Sequence, residues 1–175
     1  MTPASQRLGS KLHQIRGALG LSQQAIIDHL GLREARSYIS VWENGKSEPS
    51  LNALLRYAHV AGVSVDALVD DALNLPYATL TRPLRKGTDK LTSERLGEKL
   101  SQIRDVLNLS QNDMIDHLGL REHFDRAYIS FWENGKIEPP LYVLLRYARA
   151  GGVSLNVLAD DAINFTLPRQ IRRHK

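Results

Sequence analysis

The sequence predicts an all-α fold in which two tandem copies of a five-helix unit are joined by a basic linker. Three observations support it. The chain repeats itself: Leu8 to Glu34 realigns on Leu96 to Glu122 at an offset of 88, and Tyr38 to Asn74 realigns on Tyr128 to Asn164 at an offset of 90. About two-thirds of the aligned positions are identical, so the copies share one fold. Apolar residues recur at helical spacing between cap and stop residues, and no stretch keeps a strand period for long. Each copy is complete in itself, so these are duplicated domains and not a solenoid. The expected boundaries are a first domain at 1–74, a basic linker at 75–91, a second domain at 92–164 and a basic carboxy-terminal arm at 165–175.

The elements follow in order. Leu8, Leu12, Ile15 and Leu19 form one face of a first helix, with Thr2 or Ser5 as its cap and Gly20 as its stop. Ser22 caps a second helix carrying Ile26, Ile27 and Leu30, which Gly31 closes. A third runs from Arg36 to Glu43 and ends at Asn44-Gly45, a pair suited to left-handed turn geometry. Pro49-Ser50 opens a fourth helix, with Leu51, Leu54, Leu55 and Ala58 inward and Gly62 as its end. Ser64 caps a fifth, with Val65, Leu68 and Val69 inward. The second copy repeats these signals at Ser110, Gly119, Asn134-Gly135, Pro139-Pro140, Gly152 and Ser154. The step in offset is a two-residue insertion: Ala35-Arg36-Ser37 becomes His123-Phe124-Asp125-Arg126-Ala127.

Composition excludes several classes. With 24% charged and 42% hydrophobic residues the chain is ordinary for a globular protein, and its lack of cysteine excludes disulfides, thiolate metal sites and a cysteine nucleophile. No apolar run approaches the roughly 18 residues of a membrane span, and the start lacks a signal-peptide layout, so a cytoplasmic location with no membrane partner is expected. His29 and His117 adjoin Asp28 and Asp116, but neighbouring helical residues do not face each other. No metal and no cofactor are expected. Asp70-Asp71 and Asp160-Asp161 read as a solvated face of the fifth helix. Without a nucleophile elbow, glycine-rich phosphate loop or zinc signature, the chain is not expected to be an enzyme.

A short helix, a glycine-bearing turn and another short helix is the helix-turn-helix layout, whose second member can lie in the DNA major groove. The run L-S-Q-x-x-I-I-D-H-L-G followed by Y-I-S-x-W-E-N-G-K resembles the lambda repressor/Cro-like (XRE) helix-turn-helix family, with a longer turn than most members have. The resemblance spans roughly residues 5 to 74 and 93 to 164. It implies a five-helix domain that binds operator DNA, in a bacterial or phage-encoded regulator.

Residue by residue, the resemblance places a phosphate-gripping amide at Gln23 and Gln111, and the inward isoleucine of the recognition helix at Ile39 and Ile129. Arg36, Ser37, Tyr38, Ser40 and Val41, matched by Arg126, Ala127, Tyr128, Ser130 and Phe131, then face the groove. Arginine commonly reads guanine O6 and N7, which makes Arg36 and Arg126 the first candidates for base contact. Val41 and Phe131 suit thymine methyl groups. Asn44, Lys46, Asn134 and Lys136 resemble the family's phosphate-contacting loop. Trp42 and Trp132 fall on the core side, while Tyr38 and Tyr128 are open between covering the core edge and touching DNA.

The linker segment Thr79 to Lys86 resembles Thr166 to Arg173, so the linker reads as the first unit's own arm. Arg82, Arg85, Lys86, Arg169, Arg172 and Arg173 are candidate arm contacts to phosphates or a minor groove; paired strands and a disordered linker are the alternatives. The formal charge of +4 is uneven: 0 over 1–74, +3 over 75–95, −3 over 96–164 and +4 over 165–175. From Asn74 to Leu91 the chain has 17 residue steps. That is a reach of up to about 60 Å against half-sites about 34 to 36 Å apart.

The expected function is a sequence-specific regulator of double-stranded DNA, a repressor that inserts both recognition helices of one chain into successive major grooves as a pseudo-dimer. Its expected partner is duplex DNA with two related half-sites; a homodimer or a protein partner stays open. The rival classes are a protein-interaction adaptor or antitoxin-like subunit on the same fold, and an architectural DNA binder.

Overall fold

The first helix of each unit starts where the adjacent sequence supplies no cap. A computed structural model describes residues 6–32, 36–76 and 91–164, with Arg36 placed as a helical residue only. Helix α1 (Leu8–Ala18) begins after Arg7, whose side chain makes no capping bond. Thr2 and Ser5 lie outside the described residues. The Asp71 carboxylate instead accepts from the backbone N–H groups of Gln6 (2.8 Å) and Arg7 (3.2 Å). In the second unit Asp161 accepts from Glu94 N–H (2.7 Å), Arg95 N–H (3.1 Å) and the Thr92 hydroxyl (2.9 Å). This corrects the reading of these acids as a solvated face. Asp71 and Asp161 satisfy orphan donors at a helix start, where negative charge is also favoured by the helix dipole.

The first unit continues with α2 (Gln23–Leu30), α3 (Arg36–Glu43), α4 (Leu51–Ala61) and α5 (Val65–Val69). The second holds α6 (Leu96–Val106), α7 (Gln111–His117), α8 (Arg126–Glu133), α9 (Leu141–Gly151) and α10 (Leu155–Ala159). The described residues contain no strand. The chain divides into two compact units between Leu91 and Thr92. No described helix is long and apolar enough to cross a membrane.

Ser22, Ser50 and Ser64 accept from the N–H three residues on, at 3.0 to 3.2 Å. Ser110 forms a reciprocal capping box with Asp113. Ser154 stands at the start of α10 but makes no side-chain capping bond, contrary to expectation. The left-handed stop at Gly20 (φ 65°) is taken in the second unit by Asn108 (φ 56°), a residue type that tolerates that region.

Leu12, Ile15, Ile26, Leu30, Ile39, Leu54 and Leu68 make the first core, and Leu100, Ile103, Met114, Ile129, Leu144 and Leu158 are among their counterparts. Each core also holds a lysine. Lys11 Nζ donates to the carbonyls of Ala67 (2.7 Å) and Asp70 (2.8 Å). Lys99 Nζ donates to those of Val157 (2.6 Å), Leu158 (3.4 Å) and Asp160 (2.8 Å). Burial lowers both pKa values, opposed by the charges of Asp71 and Asp161. Cations at the carboxy-terminal ends of α5 and α10 satisfy carbonyls that those short helices leave open.

Gly9 and Gly97 let α1 and α6 approach α3 and α8 closely. A Cβ on Gly9 would lie 2.6 Å from the Glu43 carbonyl oxygen, and one on Gly97 would lie 2.5 Å from that of Glu133. Backbone cannot yield as a flexible side chain can. Gly97→Ala is expected to destabilise the second unit by about 1 to 3 kcal/mol, the usual range for overpacking, measured by chemical denaturation. An unchanged midpoint would mean that the helices separate without loss.

Candidate nucleic-acid interface

In each unit the third helix turns one face to the core and the other to water. Ile39, Trp42, Ile129 and Trp132 are buried, while Ser37, Tyr38, Arg126, Ala127 and Tyr128 are exposed. Ser40, Val41, Ser130 and Phe131 are half-buried at the margin. Tyr38 is 50% exposed and Tyr128 38%, so neither ring is absorbed by the core.

The carboxy-terminal end of this helix is fixed by a half-buried ion pair that sequence reasoning passed over. Arg16 grips Glu43 through Nε–Oε1 (2.5 Å) and Nη2–Oε2 (2.9 Å), and its Nη1 donates to the Leu21 carbonyl (3.0 Å). Arg104 does the same with Glu133 (2.6 and 3.2 Å) and Leu109 (3.0 Å). The Glu43 and Glu133 side chains are only 5% and 6% exposed. Burial pushes the Glu43 carboxyl up, but hydrogen bonds from Arg16, His13 and Gln23 prevail and hold it below the ordinary carboxylate range. The signal was available: an arginine on the first helix and a glutamate ending the third recur in both copies.

Gln23 and Gln111, expected to hold a phosphate, turn their amides to this pair. Gln23 Nε2 donates to Glu43 Oε2 (3.4 Å), and Gln111 Nε2 donates to Glu133 Oε2 (3.0 Å). Gln111 Oε1 in turn accepts from Arg126 Nε (3.4 Å). A continuous chain of bonds therefore leads from the half-buried Arg104 through Glu133 and Gln111 to the exposed Arg126. At the other end of α2, Arg56 donates to the carbonyls of Leu30 and Gly31, both at 3.0 Å. Arg146 does so for Leu118 (2.6 Å) and Gly119 (2.8 Å). The second helix is thus held at both termini.

Asn44 and Asn134 fold back as helix caps, donating to the carbonyls of Ser40 and Ser130, each at 2.7 Å. Lys46 and Lys136 are exposed beyond them, with Lys136 Nζ 5.7 Å from the centre of the Phe131 ring. The Arg36 side chain and the arm residues Arg82, Arg85, Lys86, Arg169, Arg172 and Arg173 lie outside the described residues. An open cleft of about 520 Å³ in the second unit is lined by Asn112, Asp125, Arg126, Ala127, Ser130 and Phe131. Asn112 and Asp125 were not foreseen as part of it. Among the described residues no group of three His, Asp or Glu side chains could hold a metal ion.

Two short helices held at their termini, the second presenting a polar and aromatic outer face, define a helix-turn-helix protein. The helix-turn-helix family profile matches residues 12–68 and 100–158, and the chain belongs to that family, in agreement with the resemblance read from the sequence. Among curated proteins it is similar to an SPβ prophage-derived, uncharacterized HTH-type transcriptional regulator, YonR, of Bacillus subtilis (strain 168), with 38% identity over 61 residues. That match covers 35% of this chain and 55% of the relative, so the chain spans about half the relative's length. No solved structure matches the chain.

Because the Glu43 carboxyl lies below its unfolded value of about 4.5, the pair contributes stability above that pH, and the contribution is lost as pH falls through the lower folded value. Glu43→Gln should lower the melting temperature at neutral pH and reduce its fall between about pH 5 and pH 3. An acid profile unchanged by the substitution would exclude the pair as its source.

Proposed function

We propose that the chain is a sequence-specific double-stranded DNA-binding transcriptional regulator, in which both recognition helices of one molecule enter successive major grooves as a covalent pseudo-dimer. One observation carries the reading: in both units a half-buried Arg–Glu pair fixes the third helix while leaving its outer residues exposed. Such a helix holds donors and apolar groups in a set register, as direct readout of base edges requires. The name of the YonR relative, a transcriptional regulator, points the same way.

In this reading Arg36 and Arg126 read guanine, with Ser37, Tyr38, Ser40 and Val41 beside the first and Ala127, Tyr128, Ser130 and Phe131 beside the second. Gln23 and Gln111 meet a phosphate from their place beside the glutamate, and Gln111 also orients Arg126. Lys46 and Lys136 meet phosphates, and Asn44 and Asn134 shape the turn that presents them. The cationic arms supply non-specific attraction that the neutral-to-acidic domains lack. The linker's reach lets one chain span two half-sites, and tethering raises avidity by about 10² to 10⁴ over one domain. The output is repression by promoter occlusion.

Selection from random duplex DNA tests the reading, followed by binding of variants to the selected site. Arg36→Ala and Arg126→Ala should each cost about 1 to 3 kcal/mol and relax discrimination at different half-sites; equal weakening on random DNA would reduce both to phosphate contacts. Lys46→Ala should weaken binding uniformly and lower the salt slope by about one. Affinity that is flat with salt and indifferent to sequence would instead favour a protein-interaction adaptor. Steep salt dependence with little discrimination would favour an architectural binder.

A further inference from the structure

The two units differ most where the second helix meets the third. The first copy has Ala35-Arg36-Ser37 there; the second has His123-Phe124-Asp125-Arg126-Ala127. The insertion brings two side chains with defined places. Asp125 is the N-cap of α8, its Oδ1 accepting from Ala127 N–H at 2.8 Å. The Phe124 ring packs edge-on against Tyr128 (4.9 Å between centres) and Trp132 (5.1 Å), and lies 6.4 Å from Tyr142. Tyr142 itself stands where the first copy has Asn52.

These aromatic contacts join both halves of α8 to the start of α9 through a ring absent from the first copy. Edge-to-face pairs of this kind stabilise beyond the area they bury. Asp125 also lines the cleft that holds Arg126, Asn112, Ser130 and Phe131. An ionised carboxylate accepts at about four positions, so the N-cap bond to Ala127 leaves acceptor capacity toward the cleft. Among base edges in the major groove, the partner of an aspartate acceptor is the N4 amino group of cytosine.

We propose that the inserted pair makes the second unit a different reader from the first: Phe124 is a positioning residue that sets the start of α8, and Asp125 is a specificity residue that accepts from a cytosine N4 amino group beside the guanine read by Arg126. This rests on the reading of α8 as a DNA recognition helix. The carboxylate repels the phosphates of every duplex, and only a matching amino group offsets that cost, so it lowers affinity for random DNA while sharpening choice. The site is then polar, and the chain binds it in one orientation.

The test uses the full chain as wild type and as Asp125→Ser, Phe124→Ala and Phe124→Tyr. Serine keeps an N-cap oxygen and removes the charge. Each protein is put through selection from random duplex DNA, then titrated against the wild-type site and a random duplex, with helical content and melting temperature recorded. The wild type should select a site in which one half-site alone fixes a cytosine next to the guanine lost in Arg126→Ala. Asp125→Ser should relax that position alone, lowering discrimination there by about tenfold, and should bind random duplex more tightly than the wild type. Phe124→Ala should blur the same half-site and leave the other intact, with Phe124→Tyr restoring it. An Asp125→Ser variant with the wild-type base preference overturns the specificity role. A Phe124→Ala variant that melts earlier but selects the wild-type sequence overturns the positioning role. If the wild type selects no sequence at all, the DNA-binding reading itself fails, a result distinct from either.

Discussion

Glu43 and Glu133 end the third helix of each unit as nearly buried carboxylates, and each is held in place by one arginine of the unit's first helix. A carboxylate so placed loses several kcal/mol of hydration and is tolerable only if its partner is fixed too. Arginine suits the task because its planar guanidinium offers five donors in a rigid fork. Two of its nitrogens take the carboxylate, and a third takes the carbonyl at the end of the first helix–turn segment. The close glycine approach and the turned-in glutamine depend on this geometry.

A second constraint closes each unit on itself. Acids after the last helix cap the first helix, and lysines on the first helix cap the last, so the two ends of each unit satisfy one another's open backbone groups. Short terminal helices have too few internal bonds to persist alone. These reciprocal ties explain how helices of five residues, α5 and α10, remain ordered.

Much of this was legible in the sequence. Repeat identity, helical periodicity and serine–glycine punctuation placed the helices; the inward place of Ile39 came from the family resemblance, and that of Trp42 from its spacing three residues beyond. The long-range polar ties were not legible. Nothing local in Asp70-Asp71 distinguishes an exposed acid from one that caps a helix more than 60 residues away. Lys11 falls in phase with Leu8, Leu12 and Ile15, and Lys99 with Leu96, Leu100 and Ile103, which marks inward positions, yet lysine is so seldom buried that its chemistry argues against that reading. Phe124 and Asp125 were seen only as extra turn length, because their contacts lie across the fold. Periodicity reports burial within an element, whereas these residues act between elements.

The proposed joint engagement of DNA by the two third helices of one chain is tested most directly by hydroxyl-radical footprinting of the selected site, with protein-to-duplex stoichiometry determined in the same solution. Two units on one linker predict one chain per duplex and two protected major-groove patches about 34 to 36 Å apart on one face. A single protected patch per chain, or two chains for each pair of patches, would contradict it.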